Sequence, residues 1–323
     1  MYKKRLFKAL ILMLFAVSNM SAQKLEIADF LKAGKENANT LAEAYLSPFG
    51  EMMGRSVNGG WYSVASVHSI LGIDINIGMN FAMVSSTGKE FNVNDCEMID
   101  GWKFVDGYNM APTIAGKMDE NKRPRIAKDQ GESIPLPNGM GLSMAPMPIF
   151  QAGLGLPART DIIVRFCPQI KVADFRAGLW GIGLKHDIKE YLPIIKHLPV
   201  LHTSILLGYT KMNMNFEINK DNKQKLVTDV SGFTGRLLVG ANIPFVAFYM
   251  GLGYGYAASA FDLEGTYNYG GQNFTDPISQ KYTYNNFDAN IGARLKFGVV
   301  TLHGDYTLGK YSMVTAGLGV AFR

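Results

Sequence analysis

The strongest constraint in this sequence is a period of two. From residue 72 to 84, Ile73, Ile75, Ile77, Met79, Phe81 and Met83 share one parity, while Gly72, Asp74, Asn76, Gly78, Asn80 and Ala82 share the other. Successive side chains of a strand point to opposite faces, so the stretch reads as a strand with one apolar face and one polar or small face. Three segments near the other end repeat the pattern. In 287–297, Phe287, Ala289, Ile291, Ala293, Leu295 and Phe297 oppose Asp288, Asn290, Gly292, Arg294 and Lys296. In 299–308, Val300, Leu302, Tyr306 and Leu308 oppose Thr301, His303, Asp305 and Thr307, and in 312–322, Val314, Ala316, Leu318, Val320 and Phe322 share one face. A soluble sandwich alternates too. Here the apolar faces persist for about nine residues or more, the length with which a tilted strand crosses a bilayer. Small residues crowd the opposite face, as a closed lumen demands.

The expected fold class is therefore all-β, an antiparallel transmembrane β-barrel. Strands are predicted near 59–68, 72–84, 91–105, 147–155, 161–170, 174–185, 199–216, 226–241, 245–261, 281–297, 299–309 and 311–322, twelve in all. A further hairpin inside 260–280 or 106–146 raises the count to fourteen. Residues 237–261 carry no charge, but Asn242-Ile243-Pro244 and the alternating Gly251, Gly253 and Gly255 read as a hairpin, since each Gly costs a helix ~1 kcal/mol and Pro ~3. An even strand number puts both chain ends in the periplasm and the long polar connections 106–146, 217–225 and 262–280 outside. The connection 186–198, with helical spacing at Ile188, Leu192 and Ile195, is the exception on the periplasmic side. The chain closes on Val320-Ala321-Phe322-Arg323, an aromatic-bearing strand of the kind the barrel assembly machinery reads, with Arg323 as a departure from that pattern.

Composition agrees. Hydrophobic residues at 47% with 18% charged argue against disorder, and 35 glycines with 19 Phe and 15 Tyr suit strands and turns. The mean hydropathy of +0.03 excludes a bundle of membrane helices and leaves a barrel open, because barrel strands are only half apolar. A formal charge of +5 suggests an acidic partner, until the first 22 residues are read separately. Lys3, Lys4, Arg5 and Lys8 precede the apolar run Ala9 to Val17, and Met20-Ser21-Ala22 supplies small residues at a cut: a secretory signal peptide. Beyond it, 28 basic residues face 27 acidic ones, a net +1, so no nucleic-acid partner is expected.

The expected organisation is a signal peptide over 1–22, an N-terminal helical segment over 23–56 and the barrel over 57–323. In the helical segment, Ile27, Phe30 and Leu31 form one amphipathic turn, and Leu41, Ala44 and Tyr45 another, stopped by Pro48 ahead of Phe49-Gly50. It reads either as a periplasmic tether or as a lumen plug, with Leu41, Tyr45 and Phe49 as the plug residues; Ala38, Ala42 and Ala44 suit a confined space. The loop 106–146, with mixed charges and Pro112, Pro124, Pro135 and Pro137, reads as a lid or a solvated surface.

The run Gly181-Ile182-Gly183-Leu184-Lys185-His186-Asp187-Ile188 follows an N-terminal helical segment within a Gly-rich barrel. With Asn39 to Trp61, including Leu46-Ser47-Pro48-Phe49-Gly50, it resembles an uncharacterised Bacteroidota family of outer-membrane β-barrel proteins. That family is similar in plan to the long-chain fatty-acid transporter (FadL-like) barrels. The resemblance covers most of the mature chain and implies an architecture: an outer-membrane barrel that carries hydrophobic molecules, with a hatch in the lumen and a sideways exit through the wall. No residue of this chain matches a ligand pocket or wall opening of those barrels.

On the strand parity, Arg165, Arg176, Arg236, Arg294 and Lys296 point inward, with Asp74, Asp288 and Asp305 as partners. Buried charges need pairing or water, so they read as a salt-bridged ladder or as a site for a carboxylate or phosphate head group. Catalysis is not expected. The five histidines, His68, His186, His197, His202 and His303, include no i, i+4 pair with an intervening Glu, and no Gly-x-Ser-x-Gly supplies a nucleophile beside the His303 and Asp305 face. No cofactor or metal is expected. Cys96 and Cys167 read either as a bridge or as two thiols. Two functions stay open: a passive transporter for hydrophobic or amphipathic small molecules, and a structural barrel with a closed lumen that anchors a surface complex. Outer-membrane lipids and the assembly machinery are the expected partners in either case.

Overall fold

Ten strands close into one antiparallel barrel in the computed structural model, which describes residues 26–105, 107–129, 131–172 and 174–322. They are β1 (Ile73–Met83), β2 (Met144–Leu156), β3 (Thr160–Val172), β4 (Phe175–Asp187), β5 (Leu201–Asn219), β6 (Gln224–Ile243), β7 (Val246–Glu264), β8 (Ile278–Phe297), β9 (Val300–Leu308) and β10 (Ser312–Phe322). Each pairs with its chain neighbour, and β1 also pairs with β10, from Ile73↔Phe322 to Met83↔Ser312, which closes the ring. The signal peptide expected over 1–22 lies outside the described residues.

Ten replaces the expected twelve to fourteen, and the two surplus strands fail for separate reasons. The stretch 59–68 is not a strand. Trp61, Tyr62, Ser63, Val64 and Ala65 are all buried, both parities alike, whereas a barrel strand turns one parity outward. This segment runs inside the lumen. The stretch 91–105 yields only short pieces, Glu90–Asn92 and Trp102–Phe104, which pair within the loop, with Met110–Pro112 and Arg125–Lys128 respectively. The hairpin expected inside 260–280 exists, Thr266–Tyr269 with Gln272–Thr275, but forms its own two-stranded sheet outside the barrel wall.

The outer wall carries an apolar band: Ile75 and Ile77, Ile182 and Leu184, Ile205 and Leu207, Phe248 to Leu252, Ile291, and Leu302 to Leu308 stand exposed at alternate positions. Water would penalise such a surface, and a bilayer accepts it. One end of the barrel, the turn end, has the connections 157–159, 188–200, 244–245 and 298–299; the other, the loop end, has the long connections 84–143 and 265–277 together with the short 220–223 and 309–311. The turn-end segment 188–200 holds two single 3-10 turns, Lys189–Tyr191 and Ile195–His197.

The N-terminal segment folds as a 3-10 stretch, Glu26–Ala33, and one helix, α1 (Lys35–Asn58), that continues through Pro48. The proline was expected to stop it. Its missing N–H costs one helical bond, but from Ala44 onward α1 is buried or half-buried all round, with Leu46, Met52 and Val57 fully buried, and this packing outweighs the loss. Gly59-Gly60 ends the helix, with Gly60 at a positive φ of 67°. Asn39 bonds Pro277 O and Gln280 at the loop end, so α1 starts there. The chain then passes through the lumen to enter β1 at the turn end. The first described residues therefore sit at the opposite end from Phe322, and the expectation that both chain ends share one side does not hold for them. Ile27, Phe30, Leu31 and Tyr45 pack with Val93, Ile114, Ile126 and Leu136 of the long β1–β2 connection, and with Phe261 and Tyr267, into a cap over the loop end.

Candidate functional site

The five expected lumenal cations do not form one site. Arg165 of β3 is 1% exposed and donates to Gln151 Oε1, Val57 O and Gly59 O at 3.1, 3.3 and 2.7 Å, with its guanidinium 3.7 Å from the centre of the Trp61 ring. It ties the lumenal segment to the wall. Arg236 of β6 grips Asp288 of β8 through two bonds of 2.6 and 2.9 Å, and Arg55 of α1 reaches the same carboxylate at 3.0 Å. Arg294 of β8 bonds Asp74 at 3.1 Å and Ser63. Lys296 is exposed beside a turn-end recess of about 550 Å³ that Arg294, His68 and Asn242 also line. Arg176 corrects the parity: it stands on the outer face of β4 with Trp180, Ile182 and Leu184, while Phe175, Ala177 and Leu179 face in.

Sequence reading missed four members of this ladder, Arg55, Lys185, Asp161 and His68. Arg55, within a helix, bore no strand parity to follow. Lys185 pairs with Asp161 at 3.1 Å, and His68 bonds the same carboxylate from its Nδ1 at 3.0 Å and its backbone N at 2.9 Å. His303 and Asp305 both point inward, but the Asp305 carboxylate takes its bonds from Tyr249 and Thr307. Inward of the turn-end recess the bore is thus filled by fixed charges and by Trp61, Tyr62 and Tyr249, with voids of about 20 and 10 Å³ there.

The loop-end half differs. Between α1 and the wall lies a pocket of about 150 Å³ with no charged lining residue, walled by Phe49 and Met53 of α1, Pro146 and Pro148 of β2, Leu179 of β4 and Met212 of β5. Of the three expected plug residues, Phe49 lines this pocket and meets the Phe261 ring at 5.9 Å, while Leu41 and Tyr45 are buried in the cap. A dry apolar cavity of about 150 Å³ accepts a benzene-sized guest. Methionines supply much of the lining, a soft surface that adapts to its contents.

The wall opens beside this pocket. β1 and β2 pair from Ile73↔Leu154 to Met83↔Met144, yet β2 and β3 pair only from Leu156↔Thr160 to Gln151↔Arg165. Both strands continue past that point. Proline has no N–H, and Pro146 and Pro148, two residues apart, present the same strand edge. β1 stays paired alongside both, so the edge lacking donors faces β3. Across the seam, β3 carries Pro168 in a bulge between Cys167 and Ile170.

Cys96 and Cys167 are free and buried in separate clusters, the cap and the pocket wall, so the bridge does not form. Burial, with Asp95 and Glu43 nearby, pushes the Cys96 thiol up to about 11. A raised thiol pKa means less thiolate at neutral pH. Alkylation of Cys96 in the folded barrel is expected to be at least tenfold slower than in denatured protein at pH 8, and to accelerate toward pH 11. Rapid native labelling at pH 8, measured by mass spectrometry, contradicts this environment.

The family described as "Family of unknown function (DUF6588)" matches residues 1–322. No curated protein matches. Among solved structures, the attachment invasion locus protein Ail of Yersinia pestis is similar at 10% identity and TM-score 0.30, over 79% of this chain and 99% of that one. The translocator domain of autotransporter NalP from Neisseria meningitidis stands at 12% and 0.30, over 79% and 90%. The outer membrane channel DcaP of Acinetobacter baumannii stands at 12% and 0.21, over 82% and 100%.

Proposed function

The chain belongs to the DUF6588 family of unknown function, and we propose that it is a non-enzymatic barrel of the bacterial outer membrane that takes up hydrophobic small molecules and passes them through its wall. The uncharged pocket open to the β2–β3 seam carries this reading. The apolar outer band supports a membrane location, and the apolar terminal strand β10 supports delivery by the barrel assembly machinery. In this reading α1 is the lumen plug and residues 1–22 the export signal. The plan accords with FadL-like carriage of hydrophobic molecules, but the head group of a fatty acid would find no cation inside this pocket: Arg165, Arg236 and Arg294 lie in the filled half and are already engaged.

The second reading, a structural barrel with a closed lumen, is favoured by the Arg55–Asp288–Arg236 and Arg294–Asp74 pairs that fill the turn-end half. Toluene binding separates the two. With the barrel in phosphatidylcholine nanodiscs, calorimetry is expected to show saturable binding with a negative heat-capacity change. Leu179→Trp, which fills the pocket, is expected to weaken it at least tenfold while the barrel keeps its heat-modifiable migration on gels. No saturable binding by the unaltered chain leaves the closed-lumen reading in place.

A further inference from the structure

The mouth of the seam lies at the upper edge of the apolar band. Phe166, the first β3 residue beyond the last paired position, sits opposite Trp180 of β4, and Trp180 packs against Tyr209 of β5 at 5.6 Å. Aromatic rows of this kind mark the interface between hydrocarbon and head groups. Just above it the outer face turns cationic. Lys211 follows Tyr209 on the outward parity of β5 and lies opposite Trp180; Arg176 follows Trp180 and Gly178 on β4; Lys171 lies opposite Arg176 on β3. The nearby carboxylates are occupied. Glu217 takes Lys171 at 3.6 Å, Asp174 takes Lys220 at 3.3 Å, and Asp229 is bonded by Asn213. Among the described residues no carboxylate pairs with Arg176 or Lys211, and both are exposed.

We propose that this patch and the pocket form one binding site for an anionic phospholipid of the outer leaflet, the phosphate held outside by Arg176 and Lys211 and a segment of one acyl chain reaching through the seam into the pocket. Arg binds phosphate through two parallel N–H bonds, and both side chains project from the wall where a head group lies. No charged residue lines the pocket, and Asn215 and Thr228 are too few to replace the hydration of an ion, so the charge stays at the rim and only the chain enters. The route from the turn end is filled by the ion ladder, and the loop end is covered by the cap, so the seam is the way in. The proposal rests on the pocket being a hydrophobe site and adds the class of ligand and the residues that select it.

The test uses the full barrel in phosphatidylcholine vesicles that contain a few per cent of phosphatidylglycerol carrying a diazirine at the end of one acyl chain. After irradiation, adducts on Leu179, Met212 or Met214 are expected at least five times more often than with phosphatidylcholine bearing the same chain. In Arg176→Gln with Lys211→Gln, phosphatidylglycerol is expected to fall to the phosphatidylcholine level while toluene binding stays unchanged. Equal labelling by the two lipids, or adducts confined to the outer wall, overturns the lipid site. If toluene still binds in that case, only the lipid inference fails. If toluene binds nowhere either, the hydrophobe reading beneath it fails too.

Discussion

Asp288→Ala is expected to destabilise the barrel by about 3–5 kcal/mol, the cost of leaving buried charge without its partner. Asp288 is the only carboxylate that bonds or pairs with Arg55 and Arg236 among the described residues, and all three side chains are essentially dry. Arg55 comes from α1, Arg236 from β6 and Asp288 from β8, so the carboxylate holds the inner helix to two separate strands. Its loss strands two guanidinium groups, which places the effect at the upper end of that range. Urea unfolding in lipid vesicles measures it. The triple variant Arg55→Met, Arg236→Met, Asp288→Leu is expected to recover most of the loss, because apolar replacement of a whole buried ionic group is often neutral or stabilising. A single variant as stable as the parent refutes the anchoring role of this triad.

Gly208→Val is expected to expel Trp61 from its seat and to cost as much as removing the ring itself, about 3–5 kcal/mol. Trp61 lies on Gly183 and Gly208, where an added Cβ would meet the ring at 2.8 and 2.6 Å, and Arg165 covers it from nearby at 3.7 Å. Bare backbone on two adjacent strands is what admits an indole so close to the wall. Tryptophan emission reads the displacement directly. Gly208→Val is expected to shift it to the red, toward the signal of partly solvated indole, and Trp61→Ala to remove the component that shifts. An unchanged spectrum in Gly208→Val contradicts the seat.

The barrel was legible because its signal is local. Ile73, Ile75 and Ile77 alternate with Asp74, Asn76 and Gly78 within a few residues, and no distant contact is needed to read that face. Ten of the expected segments became wall strands for this reason. Residues 59–68 misled because a chain buried on both sides has no solvent or lipid face to pattern it; Trp61 and Tyr62 are apolar and adjacent, which short-range alternation cannot distinguish from a strand. Arg176 was misplaced although it shares the parity of Trp180, Ile182 and Leu184 within β4, an alternation that sets it on the apolar outer face. The pocket was not legible at all. Its walls come from α1, the long loop and seven strands, residues far apart in the chain.

By itself the sequence determined the two-faced strands, the hairpin around Asn242-Ile243-Pro244, and the inward placement of Arg165, Arg236 and Arg294, since each follows from side-chain direction along one strand. Only the tertiary structure decided how many strands close the ring, that α1 enters from the loop end, which charges meet at Asp288, and where the wall parts. Those are matters of which strand edges find partners and of what fills the space between them, and closure and packing depend on residues far apart in the chain.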